Sequence, residues 1–350
     1  MKLLSATALL TLSLATPLFA SAAPLRSPWD ERTVKITTAP YTCPALAALP
    51  ADIEAYSYYS DAKKSVADDT KKAAYDAAKE PFAELSTKAA AAADNFQRTG
   101  NKAAAECVAQ LLTTQAKASA MTGKMSSNQA QYVQNWTLGA LAVSWLKVRQ
   151  AQPATSEQLA VIQPWLQKVG RQVEAYFQER REKKKTDGQN NHLYWAGFAA
   201  MSAGIAVDDH SLFDWGISTY KDGLDRVTDD GTLPLEMARG QRALHYHLFA
   251  LAPLTLMAEF ATVNGQDLYS YNHNKLHLLV MRSLAGEIDN SFFSQKTGIP
   301  QDTPDKDGIK SSDVEWARPF QRRFPDPKVA EVLHSAGIKP FGYIGGLPPE

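Results

Sequence analysis

Asn190-Asn191-His192-Leu193-Tyr194-Trp195-Ala196 carries two carboxamides, an imidazole, a phenol and an indole, and the apolar run 196–206 follows directly. So much hydrogen-bonding and stacking capacity is unusual for an ordinary helix face. A charged, turn-like run, 180–188, leads in. The polar residues therefore stand at a helix entrance, where side chains and free backbone N–H groups face outward together. Such an entrance also favours an anion. The stretch predicts a fold built on apolar helices, and a carboxylate or similar anion held beside His192.

The same helical signal recurs on both sides. Residues 68–98 are alanine-rich with apolar residues at helical spacing, and Gly100 stops them. Asn101 or its neighbour opens a second helix, to about Met121. Residues 128–149 form a third, with Trp136, Leu138, Leu141, Trp145 and Val148 as its apolar stripe. Further helices are expected over 156–180, 210–227, 241–263, 274–287 and 327–336. Pro253 is expected to kink or break the one that contains it. No strand pair is legible. Helices joined by short turns, without coiled-coil heptads, indicate an all-α fold of stacked antiparallel hairpins. At this length an incomplete (α/α) toroid around a cleft fits best. No Pro/Gly/Ser linker divides 23–350, which is read as one domain.

Lys2, the apolar run 3–19 and Ala20-Ser21-Ala22 read as a secretory signal peptide, 1–22. A membrane anchor is the lesser reading, because the run is short and breaks at Pro17. No later stretch reads as apolar enough to span a bilayer. Export to a periplasm is expected. Net charge is zero, which argues against a nucleic-acid partner and leaves anion affinity to local clusters. Two cysteines in an exported chain suggest one disulfide, Cys43 to Cys107. Closing about 64 residues, it would contribute roughly 4 kcal/mol. His273 and His277 are four apart but lack a third ligand, and there is no P-loop or dinucleotide fingerprint. No metal or organic cofactor is expected, and the protein is read as a monomer.

A second polar cluster spans 235–247. If Arg239 and Tyr246 share a helix, seven residues bring them within about 20° of one face. Arg242 and Tyr246, four apart, also share a face. A charged helix edge beside a packed tyrosine is the plainer reading. An arginine and a tyrosine presented together would suit a substrate bearing a carboxylate and an acidic proton. Tyr56-Ser57-Tyr58-Tyr59-Ser60-Asp61-Ala62-Lys63-Lys64 is either a sugar-binding loop or a solvated one. Arg318, Arg322 and Arg323 either line a polyanion groove or pair with carboxylates.

The two clusters resemble the mannuronate-specific alginate lyases of polysaccharide lyase family 5. The family's Asn-Asn-His-Ser-Tyr-Trp motif matches 190–195, with Leu193 in place of the serine. Its Arg-x-x-x-(Ser/Ala)-Leu-(His/Ala)-Tyr run matches 239–246. Cys43-Pro44 with Cys107, Leu212-Phe213-Asp214-Trp215-Gly216, Asn264-Gly265-Gln266-Asp267-Leu268 and Gln301-Asp302-Thr303 extend the similarity over nearly the whole mature chain. The resemblance implies a helical toroid and cleavage of alginate by β-elimination. It assigns Asn191 and Arg239 to quenching the C5 carboxylate, with His192 beside them and Tyr246 as the proton-transfer residue. Quenching the carboxylate stabilises the enolate-like charge that develops when the weakly acidic C5 proton leaves. A base removes that proton, and an acid protonates the departing O4. In mannuronate the two lie on one side of the ring, so one tyrosine can serve both steps; Arg239 and Arg242 would help it ionise. His192 as base with Tyr246 as acid stays open. Ser57 and Tyr58 match the family's mobile loop over the cleft. Its basic residue is missing, with Lys63 and Lys64 close by. Asn128, Gln129, Tyr194 and Arg242 complete the implied substrate contacts. The rivals are a glycoside hydrolase on the same toroid, with Asp187 and Glu236 as the nearest acids, and a non-catalytic polyuronate-binding protein.

Overall fold

The computed structural model describes residues 23–62, 64–303 and 308–349. The predicted signal peptide and Lys63 lie outside the described residues. Thirteen α-helices are found among those described: α1 (Asp69–Thr99), α2 (Lys102–Lys117), α3 (Asn128–Val148), α4 (Ser156–Glu182), α5 (Asn191–Val207), α6 (His210–Asp225), α7 (Pro234–Met237), α8 (Ala243–Val263), α9 (Tyr271–Ile288), α10 (Ser291–Thr297), α11 (Ser311–Val314), α12 (Ala317–Arg323) and α13 (Pro327–Ala336). Side-chain caps set many of the boundaries. Asp68 accepts from the Lys71 N–H, Asn101 from Ala103, and Asn190 from His192. Gly100, in the left-handed region at φ 71°, ends α1.

Consecutive long helices pair as hairpins: α1 with α2, α3 with α4, α5 with α6, α8 with α9. The first member of each pair also packs on the next first member, giving an inner series α1–α3–α5–α8. The second members form an outer series α2–α4–α6–α9. This is the two-layered toroid. Inner helices α3 and α5 are buried on nearly every side, as an all-round apolar helix must be. The arc between α8 and α1 is filled by the C-terminal segment: α11 and α12 pack on α8, and the turn Gly342–Ile344 packs on α1 and α3. Buried Lys147 holds that segment. Its ammonium donates to Asp94 and to the Gly345 carbonyl, both at 2.6 Å, and Asp94 also accepts from the Leu347 N–H at 3.0 Å. The Cys43–Cys107 disulfide ties the N-terminal arm to α2.

Two expectations are corrected. Pro253 does not break α8, which runs through it; one lost backbone bond is outweighed by burial of almost every residue around it. Residues Gly240–Val263 are, after all, long and apolar enough to cross a membrane, with mean hydropathy 1.3, but 83% of that stretch is buried against the rest of the protein. Arg322 and Arg323 pair with buried Glu259, and Arg318 with Glu315, so they act as internal clamps.

Candidate active site

The entrance of α5 faces the short turn that carries α7 into α8. The condition that Arg239 and Tyr246 share a helix is not met. Arg239 lies between α7 and the turn Gly240–Arg242, where Gly240 takes φ +61°. The reversal nevertheless brings the guanidinium over the phenol, with Cζ 3.5 Å from the Tyr246 ring centroid and Arg242 at 5.0 Å. Both cations are drawn to the negative face of the ring.

The loop 58–66 covers this pair. Asp61 ties it internally, accepting from the Ser65 and Val66 N–H groups. Arg239 donates to the Lys64 carbonyl at 2.6 Å, and Gln241 to that of Ser65. Tyr59 reaches down from the loop: its hydroxyl lies 2.6 Å from that of Tyr246 and 2.9 Å from that of Tyr58, and it accepts from Arg242 Nη1 at 2.6 Å. Burial raises the Tyr59 pKa, so it remains a phenol, able to donate to Tyr246. Tyr59 was not singled out by the sequence reading, although it stands in the aromatic loop noted there.

Beneath the loop lie two compartments. One, about 310 Å³, is lined by Tyr58, Tyr59, Gln129, Trp136, Arg242, His245, Tyr246, Phe341 and Tyr343, among others. The other, about 370 Å³, is lined by Asn128, Tyr132, Arg180, Lys185, Asp187 and Asn190, among others. Lys64, His192 and Arg239 line both and so mark the junction. Arg239 Nε and His192 Nδ1 are buried there without a protein partner. Burial, reinforced by the Arg239 and Lys64 charges, holds the His192 pKa well below its ordinary value, so the ring is neutral. His245 lines the compartment of Tyr246 and meets that ring edge-on. Burial and the two arginines push its pKa down to about 3. Phe341 and Tyr343 arrive from the C-terminal segment, with Tyr343 stacked on Trp136 at 5.0 Å; no local sequence signal announces them.

Several sequence assignments are corrected. Asn191 is fully buried, and its Nδ2 donates to both oxygens of Glu236, each at 3.0 Å. Asn191 lines neither compartment. The anion at the α5 entrance is the protein's own: Glu236 also accepts the Asn191 backbone N–H at 2.8 Å. Burial raises the Glu236 pKa against those bonds and the Arg239 charge. Tyr194 is 1% exposed and packs on Gly223 of α6, on the side of α5 away from the cleft. Ser57 is exposed on the loop and lines neither compartment. Asp187 is bound by Tyr132 and Arg180, and Glu236 by Asn191, so this pair of acids is not free for hydrolysis of a glycoside.

His247 braces the turn. Its Nε2 accepts from the Leu233 N–H at 2.8 Å and its Nδ1 lies 2.7 Å from the Ala243 carbonyl, which requires Nδ1–H and a neutral ring. Burial lowers its pKa to about 4. The unfolded imidazole titrates near 6.5, so above that pH both states are neutral and the full stability is present. Between about 6.5 and 4 the unfolded chain binds more protons, and stability falls as pH falls. The contribution is about 3 kcal/mol over that window. Urea unfolding from pH 7 to 4.5 should show a smaller pH slope in His247→Gln than in the parent protein; equal slopes would refute the bracing role.

Residues 52–292 match the family model for alginate lyase. A polysaccharide lyase of Stenotrophomonas maltophilia is 37% identical over 308 residues, covering 87% of this chain and 88% of its own length. An alginate lyase of Pseudomonas fluorescens is 36% identical over 252 residues, 70% of this chain and 65% of that protein. One of Cobetia marina is 36% identical over 230 residues, 64% of this chain and 60% of that protein. Among solved structures, alginate lyase A1-III from Sphingomonas species A1 superposes with a TM-score of 0.68 at 23% identity, over 93% of this chain and 87% of that one. A variant of A1-III complexed with a tetrasaccharide superposes at 0.70, with 23% identity, over 93% and 86%. These likenesses show a common α/α toroid. The chain belongs to the alginate lyase family.

Proposed function

We propose that the protein depolymerises alginate by β-elimination within mannuronate-rich stretches. The observation that carries this is the junction: Arg239 Nε and His192 Nδ1, buried and unpartnered, beside a phenol that two guanidinium groups overlie. A uronate carboxylate seated at Arg239 is neutralised, and the charge that builds up on it as C5 loses its proton is stabilised. Tyr246, as phenolate, takes the C5 proton; the C5–H electron pair forms the C4–C5 double bond as the C4–O4 bond breaks. The phenol then gives its proton to the departing O4. The new non-reducing end is a 4-deoxy-L-erythro-hex-4-enuronosyl group. One oxygen, that of Tyr246, serves both steps and so works from one side of the sugar, which suits mannuronate, where C5–H and O4 are syn. Guluronate presents them on opposite faces and would need His192 as base against Tyr246 as acid.

The sequence of residues 1–22 and the Cys43–Cys107 disulfide support export to the periplasm. Incubation with polymannuronate and polyguluronate, followed by near-ultraviolet absorbance and reducing-end assay, tests the reading. Absorbance should rise with polymannuronate far faster than with polyguluronate. Reducing ends without absorbance would mean hydrolysis, and binding with neither would mean a carrier. Repeating the assay on osmotic-shock fluid and on cytoplasm tests the compartment.

A further inference from the structure

We propose that Tyr132, Asp187 and Arg180 are positioning residues that set the plane of the His192 imidazole at the junction of the two compartments. The inference rests on the reading of His192 as part of the alginate site. No hydrogen bond on Nδ1 orients that ring. What lies against it is Tyr132, face to face, with centroids 3.6 Å apart and planes within 9°. An imidazole pressed against a fixed phenol keeps its tilt without spending either nitrogen on the protein.

Tyr132 is itself held. It is buried in α3, and its hydroxyl donates to Asp187 Oδ2 at 2.9 Å, with the Asn128 side chain as its other partner. The second Asp187 oxygen accepts from Arg180 Nε at 2.5 Å. Asp187 sits in the turn Thr186–Gly188, folded so tightly on the end of α4 that a Cβ on Gly188 would lie 2.4 Å from the Arg180 carbonyl carbon. The acid is therefore fixed to the helix that carries its arginine. Contacts run from α4, through the turn, to α3 and on to the first turn of α5. This explains why the charged lead-in at 180–188 precedes the Asn-Asn-His stretch: it supplies the anchor for the histidine's platform. The consequence for turnover is geometric, because a shift of about 1 Å in a group that meets the substrate can cost about 100-fold.

The test reads histidine ring resonances of the substrate-free protein alongside kinetics on polymannuronate. Of seven histidines, His192 is assigned by the signal lost in His192→Gln, and its Cε1–H should be displaced upfield by the Tyr132 ring. Tyr132→Phe keeps the ring but cuts it from Asp187 and Arg180; it should keep only part of the displacement and lose about five- to 20-fold in kcat, and a silent Tyr132→Phe would remove Asp187 and Arg180 from the positioning role. Tyr132→Leu should lose the displacement and more than about 20-fold in kcat, with KM within about threefold. Absence of any upfield-displaced histidine signal in the parent protein overturns the proposal, and that outcome needs no variant to fold. So does a folded Tyr132→Leu that loses the displacement but keeps kcat while His192→Gln does not. If the resonances behave as expected but His192→Gln turns over normally, the positioning stands and the placing of His192 in the reaction fails.

Discussion

Tyr246→Phe is expected to lose at least about 1,000-fold in kcat while substrate binding stays within a few-fold of the parent. Positioned proton transfer contributes about 10²- to 10⁴-fold for one step, and here one oxygen serves both the abstraction and the protonation. Removing it leaves no other group on that side placed to do either. Tyr59 is hydrogen-bonded to the lost hydroxyl, but burial keeps it protonated and Arg242 donates to its oxygen. Phenylalanine keeps the ring over which Arg239 and Arg242 lie, so the floor of the compartment and the cation arrangement persist. Folding is not threatened, since Tyr59 retains Arg242 and Tyr58 as partners and no buried polar group is stranded. Calorimetric titration with mannuronate oligomers, beside kcat from the absorbance assay, separates the two quantities. Activity within tenfold of the parent would remove Tyr246 from the proton pathway and turn attention to His192.

What could be read in advance follows from range along the chain. The long helices were legible because periodicity and caps are local: Asp68 and Asn101 lie one residue from where their helices begin, and Gly100 ends α1. The toroid followed from hairpin connectivity. The identities of His192, Arg239 and Tyr246 were legible as motifs, but not how they meet. The seven-residue helix argument reached the correct neighbour pair through a geometry that the turn at Gly240 replaces. Asn191 looked like a free donor because nothing in 190–196 shows that Glu236, 45 residues on, accepts from both its side chain and its backbone N–H. Tyr194 looked available because α5 is apolar all round, so its pattern does not say which face meets the cleft. Tyr59 meets Tyr246 across 187 positions, and the C-terminal segment reaches Lys147 across 198; such pairings are properties of the closed ring.

Arg239→Ala should be the other severe loss. The guanidinium has three tasks: its Nε is left for a substrate carboxylate, its Nη2 latches the loop through the Lys64 carbonyl, and its charge lies over the Tyr246 ring. The first is worth most in the transition state, where charge has moved onto the carboxylate; losing one preorganised donor at such a place costs about 3–4 kcal/mol, or about 10²- to 10³-fold in kcat. The second should raise KM, because the loop then rests on Gln241, Arg242 and the tyrosine pair. Arg239→Lys separates charge from shape. An ammonium restores a cation but not the planar fork that spans carboxylate, carbonyl and ring together, so it should recover only part of kcat. If Arg239→Ala raised KM with kcat intact, the residue would merely bind, because uniform binding is lost without cost to the chemical step. The charge on the enolate-like intermediate would then have to be met by Lys64 and His192. His192 is held neutral by burial, and Lys64 is exposed on the loop, so neither offers a desolvated cation at the junction. That shortage makes a fall in kcat the expected result.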